Sequence, residues 1–159
     1  MKITILAVGK LKEKHTKAAV DEYCKRLSKY AKIAVIEVPD EPAHEKLSHA
    51  EELIVLKNEG ERIRRQIKDS GYVIATAIQG AQLTSEGLAK KIENLSVNGH
   101  SHIYFIIGGS LGLCKTVADR ADFLLSFSTM TFPHQLMRVM LTEQIYRAFR
   151  INSGEPYHK

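Results

Sequence analysis

The sequence predicts an α/β fold: a mostly parallel sheet of five to six strands with helices on both faces. Three observations carry that expectation. Five short apolar runs alternate with stretches of helical periodicity, the pattern left by repeated strand–helix–strand units. The runs are continuously apolar, as strands covered on both faces are, where a half-exposed strand would alternate. The 159 residues hold no repeat, low-complexity tract or linker. One domain spanning residues 1–159 is therefore expected, large enough to bury about 70% of its unfolded surface.

The elements follow in order. Ile3–Val8 is the first run, and Thr16–Tyr30 after it places Ala19, Tyr23, Leu27 and Tyr30 at helical spacing. Ile33–Val38 comes next and leads into Pro39–Asp40–Glu41–Pro42, a loop because two prolines discourage helix and strand alike. Glu45–Ile67 puts Leu53, Leu56, Ile63 and Ile67 on one helical side, with Gly60 as a weak point. Tyr72–Ile78 is the third run. Thr84 or Ser85 caps a helix that runs to Leu95 and that Gly99 ends. His102–Ile107 and Phe123–Phe127 are the fourth and fifth runs, and Pro133 opens a last helix reaching Phe149. The tail Ile151–Lys159 contains Gly154 and Pro156 and is either frayed or pinned.

Composition narrows the class. The 44% hydrophobic and 26% charged fractions set aside disordered and fibrous proteins. A net charge of +5 favours a polyanionic partner, though only as a non-specific footprint. Met1–Lys10 holds too short an apolar run for a signal peptide, and no stretch approaches the ~18 apolar residues of a membrane span. Cys24 and Cys114 have no second ligand at metal spacing, which points to a reducing cytoplasm and no metal, with a disulfide between them left open. The last helix is apolar around most of its circumference, from Leu136, Met137, Met140, Leu141, Ile145, Ala148 and Phe149. Such a helix must be covered on more than one side, so a homodimer is expected.

Two segments carry the chemistry. In the first, Phe105–Thr116, three glycines (Gly108, Gly109 and Gly112) directly follow a strand. They let backbone amides approach a ligand at the carboxyl end of the sheet, or they serve a tight turn of the protein's own. The same segment misses a phosphate-wrapping loop by one residue, Cys114 before Lys115–Thr116 where glycine is required; a phosphate-binding NTPase is the lesser reading. In the second, Leu124–Leu136, an apolar strand runs into Ser126, Ser128, Thr129 and Thr131 ahead of Pro133. Free amides at that helix start and the hydroxyls make a polar cradle, or Thr131 simply caps the helix. His134 is either a base or a capping residue. Glu143, Arg147 and Arg150 read by default as a solvated i,i+4 ion pair with a free arginine, and Arg62, Arg64, Arg65 and Lys68 as a solvated face. Tyr157 and His158 matter only if something holds the tail.

Taken together, Ile106-Ile107-Gly108-Gly109-x-x-Gly112-Leu113, the segment Leu125-Ser126-Phe127-Ser128-Thr129-Met130-Thr131-Phe132-Pro133-His134, and Pro156-Tyr157-His158 closely resemble the ribosomal RNA large subunit methyltransferase H family. This is a branch of the SPOUT class of S-adenosylmethionine-dependent enzymes. The likeness runs the whole chain, including Ala7-Val8-Gly9 and Glu22–Leu27, and departs from the family at Ser110-Leu111, where a Pro-Glu-like pair is usual. The resemblance implies a trefoil knot over about residues 72–159. It also implies a cofactor bent among three loops, at Thr76, at Gly108 and Gly109, and at Phe127, Ser128, Thr129, Met130, Thr131 and Phe132. It further implies methylation of N3 of a pseudouridine in a loop of 23S rRNA of the large ribosomal subunit, by a homodimer that builds each site from both chains.

That chemistry requires an in-line methyl donor held rigidly, removal of the N3 proton, and an accessible base. Arg147, Tyr157 and His158 match family positions tied to catalysis or substrate recognition. The expected roles are Arg147 polarising the base or gripping phosphate, Tyr157 orienting the base, and His158 as base or hydrogen-bond partner. The rival reading is a ribosome-binding protein of the same fold that turns nothing over.

Overall fold

The computed structural model describes residues 1–42 and 44–159. Its elements are β1 (Lys2–Val8), α1 (Lys14–Leu27), β2 (Lys32–Val38), α2 (His49–Arg64), β3 (Tyr72–Gln82), α3 (Ser85–Val97), β4 (His102–Ile107), α4 (Lys115–Arg120), β5 (Phe123–Ser126) and α5 (His134–Asn152). The strands form one five-stranded sheet in the order β2-β1-β4-β3-β5, and every pairing is parallel. Central β1 and β4 are buried nearly end to end, whereas edge strand β2 is mostly half-exposed.

Because side chains alternate along a strand, the sheet divides its apolar residues between two cores. Ile3, Ile5, Ile74, Ile103 and Phe105 face α1, α3 and α5. Leu6, Val8, Val73, Tyr104 and Ile106 face α2 and α4. Helices thus cover both faces, as expected. Full burial of one such isoleucine contributes about 1.5–3 kcal/mol.

Several boundaries differ, each for a local reason. The second helix starts at His49 and not Glu45, because Ser48 and Glu51 form a capping box: Glu51 N donates to Ser48 Oγ and Ser48 N to Glu51 Oε2. Its buried face is Val55, Glu59, Gly60 and Ile63, and Leu53, expected inside, is 53% exposed. Gly60 is no weak point; a Cβ there would stand 2.1 Å from Cys114 Sγ, so the glycine permits close packing of α2 on the Cys114 segment. Thr84, of the two candidates, caps α3 through Gly87 N. The short α4 has a single buried residue, Val117, which gives no periodicity to detect in a sequence. Strand β3 runs past Ile78 because its register breaks between Thr76 and Ala81, both of which pair with Leu125. The intervening residues bow out of the sheet, and Gly80 fits where a Cβ would lie 2.6 Å from the Leu124 carbonyl.

The apolar circumference of α5, from which a second chain is expected, is covered in part by the chain's own elements. Within one chain α5 lies on the sheet with α1 and α3 packed against it, burying Leu141, Ile145, Tyr146 and Ala148. What stays open is Leu136 at its start, 48% exposed, followed by the half-buried Met137, Val139 and Met140.

Candidate active site

The turns that leave β3, β4 and β5 converge. They line one open cavity of about 770 Å³ whose walls include Thr76, Gly108, Gly109, Phe127, Ser128 and Phe132. Met130 and Thr131 also line it, while Thr129, expected in the cradle, is not among the lining residues. Ligand cavities commonly run about 300–1,000 Å³, so this one has room for a nucleoside-sized molecule beside a reacting group.

The glycines of the β4 turn serve the turn itself. A Cβ on Gly108 would meet the Gly112 carbonyl oxygen at 2.4 Å, and one on Gly109 would meet Glu59 Oε2 at 2.9 Å and Val8 Cγ1 at 3.1 Å. Gly112 N donates to Gly109 O across the turn at 3.0 Å, and Gly112 takes φ +83°, a left-handed conformation that suits glycine. The turn folds back too closely for side chains at Gly108 and Gly109, and both glycines also line the cavity. Beneath it, Glu59 is 4% exposed. Its Oε1 accepts from Glu41 N while Oε2 has no partner among the described residues, and burial pushes its carboxyl above the usual range.

In the β5 turn the hydroxyls hold the loop. Ser126 Oγ donates to Ser128 O, and Met130 N donates to Ser128 Oγ, both at 3.0 Å. Thr76 Oγ1 likewise ties β3 to the Ile106 carbonyl of β4. Thr131 caps nothing: α5 starts after Pro133 with no side-chain cap. What anchors the start of α5 is Arg138, 0% exposed. It donates to Glu37 Oε1 at 2.6 Å and to Gly9 O at 3.0 Å, across the ends of β2 and β1. A buried arginine on α5 with its acid in β2 leaves no sequence spacing to detect.

The remaining candidates, Arg147, Tyr157 and His158, gather in a second cluster. Arg147 is about 20 Å along α5 from His134, at ~1.5 Å per residue. Glu143 Oε1 accepts from Arg147 Nη2 at 2.6 Å and from the Tyr157 hydroxyl at 3.1 Å. The Arg147 guanidinium stands 4.7 Å from the Tyr157 ring centroid. It also donates to His158 Nδ1 at 3.2 Å, which leaves Nε2–H of that ring to donate to Glu86 Oε1 at 2.8 Å. Burial, the Tyr23 hydroxyl and Glu143 push the Tyr157 phenol up to about 12, so it is a hydrogen-bond donor at neutral pH. The tail is pinned. Arg150 pairs with Glu155 and donates to the Tyr30 hydroxyl oxygen and to Pro156 O, so it is not the free arginine of the sequence reading. Arg62, read as part of a solvated face, pairs with Glu41 at 2.5 Å. The cluster borders a smaller groove of about 400 Å³ that shares Leu125 and Phe127 with the cavity.

Other chemistries find little here. Lys115, the lysine of the phosphate-loop reading, turns outward to Asp119 at 2.6 Å. Both cysteines are free. Among the described residues no group of His, Cys, Asp or Glu could hold a metal ion, and no helix is long and apolar enough to cross a membrane.

A parallel sheet whose strand ends open onto one ligand cavity is the architecture of a nucleotide-type cofactor enzyme. The chain matches the family model described as predicted SPOUT methyltransferase over residues 1–158. It is 63% identical to a protein of Shouchella clausii and 60% identical to one of Alkaliphilus oremlandii, covering 100% of each chain; both are named Ribosomal RNA large subunit methyltransferase H. A solved structure described as a probable methylase family protein from Haemophilus influenzae shares the fold, with TM-score 0.51 and 13% identity over 99% of this chain and 70% of that one. The chain belongs to the SPOUT methyltransferases and, among them, to the ribosomal RNA large subunit methyltransferase H family.

Proposed function

We propose that the protein is an S-adenosylmethionine-dependent enzyme that methylates N3 of a pseudouridine in a loop of 23S rRNA in the large ribosomal subunit. On this reading it works in the cytoplasm as a homodimer, and residues 72–159 follow the trefoil path that family membership implies. One observation carries the cofactor assignment: the cavity has three strand-end turns for walls and no lysine, arginine, aspartate or glutamate among its lining residues. A phosphate chain would want cations there. A sulfonium with an adenine suits neutral amides, hydroxyls and the rings of Phe127 and Phe132.

The bound cofactor would supply an electrophilic methyl group on sulfur. Thr76, Gly108 and Phe127–Phe132 are the residues that would hold it, and their internally bonded turns would keep it rigid. The Glu143–Arg147–Tyr157–His158 cluster offers a guanidinium and a phenol donor suited to a uracil-type ring and its phosphates. The distance of that cluster from the cavity favours a homodimer in which one chain's tail completes the other's cavity. Ile78, Leu83, Met130 and Leu136, all exposed apolar residues near the two openings, supply the surface for it.

Calorimetry with S-adenosylmethionine, and transfer of labelled methyl to unmodified ribosomes followed by mapping of the nucleotide, test this reading. Micromolar binding and one labelled large-subunit pseudouridine are expected. No binding at millimolar cofactor would remove the enzyme reading and leave the ribosome binder.

A further inference from the structure

We propose that His134 is the general base of the reaction, taking the N3 proton inside the cofactor cavity of its own chain. The inference rests on the methyl-transfer reading above and adds the group that reading lacks. Deprotonation is required because the imide nitrogen's electron pair is free to attack only once the proton has gone.

The placement of titratable groups decides the matter. Among the described residues that line the cavity, His134 is the single side chain that gains or loses a proton near neutral pH. It sits there because Pro133 ends the β5 turn and hands over to the first turn of α5, a helix fixed to the ends of β1 and β2 by Arg138. Burial, and then the Arg138 charge on the same helix, pull the imidazole below its ordinary value. Asp40, after β2, opposes these, and Lys12, after β1, acts in the lowering direction. A neutral imidazole with an acceptor nitrogen follows.

The second cluster cannot serve as it stands. Both ring nitrogens of His158 are engaged, one accepting from Arg147 and the other bonded to Glu86. The Tyr157 phenol is held protonated, and Glu143 already accepts from Arg147, Gln144 and Tyr157. These groups bind and polarise, and neither ring nitrogen of His158 is free to take a proton.

The step balances. The N3–H bond breaks and its proton goes to imidazole. The freed pair on N3 forms the new N–C bond as the methyl–sulfur bond breaks, leaving that bond's pair on sulfur. Imidazolium then releases its proton to solvent through the open mouth of the cavity.

The test uses the full-length dimer carrying His134→Ala, His134→Gln or His158→Gln. Cofactor affinity is read by calorimetry, and single-turnover methyl transfer to unmodified ribosomes is followed from pH 6 to 9.5 at saturating cofactor. Both His134 variants are expected to bind cofactor within about threefold of the parent. Their transfer at pH 7 is expected to fall by about 10²–10⁴, with the deficit shrinking as pH rises and the imide ionises unaided. His158→Gln is expected to keep the parent's pH profile. Imidazole titration of the parent without cofactor, by NMR with labelled histidine, is expected to place His134 below the ordinary value near 6.5. A His134 variant that transfers within threefold of the parent at pH 7 overturns the proposal, as does a parallel loss of cofactor binding or a His134 that titrates above 7. A parent that neither binds cofactor nor transfers methyl overturns the methyltransferase reading itself, a result distinguishable from any of these.

Discussion

Glu37→Gln, a change of one atom on the edge strand, is expected to destabilise the protein about as much as a core truncation. The reason lies in Arg138, whose guanidinium is 0% exposed and has Glu37 at 2.6 Å as its acidic partner among the described residues. Burial opposes that charge and Glu37 supports it. Removing one member of a buried pair costs about 3–5 kcal/mol, since the other is stranded. Glu37 keeps part of its surface in water, and the Val8 and Gly9 carbonyls still accept from Arg138, so the low end applies, about 3 kcal/mol. Arg138→Met loses the same pair and both carbonyl bonds but strands only a partly hydrated carboxylate, again about 3 kcal/mol. The double variant has no charge left to strand. Its loss is expected to be smaller than the sum of the singles by about 2 kcal/mol, within the range of coupled neighbours. Urea unfolding at pH 7 reads all three, with Cm falling and m unchanged, and each single variant is expected to melt about 6–12 °C below the parent. Additivity within 0.5 kcal/mol would refute the pairing as the source of the loss.

Gly108→Ala places a Cβ 2.4 Å from the Gly112 carbonyl. It is expected to cost about 1–3 kcal/mol of stability and to abolish cofactor binding, because the turn must open; parent-like stability and affinity would contradict the steric account. Glu59→Gln tests the buried acid beneath that turn. Burial raises its folded value above the ~4.3 of an unfolded chain, so the folded state holds the proton more tightly and stability drains away as pH rises from about 4. The variant, free of that loss, is expected to gain on the parent at pH 7 and not at pH 4 in paired thermal melts. Deleting Tyr157–Lys159 removes a donor to Glu143 and the partner of Glu86; calorimetry is expected to show unchanged cofactor affinity while methyl transfer falls at least 100-fold.

The sheet was legible because burial on both faces leaves unbroken apolar runs, and all five runs became strands. The convergence of the last three turns was legible too, since parallel strands place their carboxyl ends together. Faces and boundaries were harder. Leu53 and Val55 are equally apolar, and only the Ser48–Glu51 box and the sheet above α2 decide which one turns inward. The pinned tail was invisible because Arg150 on α5 reaches Tyr30, 120 residues earlier in the turn after α1. The glycines of the β4 turn were legible as glycines but not in purpose. Only the distances to Gly112 and Glu59 separate a turn that needs them from a ligand that does.

The same helix that opens on the cavity at His134 carries the Arg147 cluster about 20 Å further on, and this arrangement makes the two-chain site testable by mixing. If each site draws its cavity from one chain and its tail from the other, a chain with His134→Ala and a chain lacking Tyr157–Lys159 are both inactive as homodimers. Co-refolded at equal concentration, they form mixed dimers in about half of all pairings. In a mixed dimer one of the two sites combines the intact cavity of the truncated chain with the intact tail of its partner, while the other site carries both lesions. Transfer per subunit is then expected to recover to about a quarter of the parent's. A site completed within one chain predicts no recovery at all, because every chain in the mixture carries a lesion of its own. Activity that stays at background while exchange of subunits is verified by mass would place the cavity and tail in the same chain and remove the two-chain site.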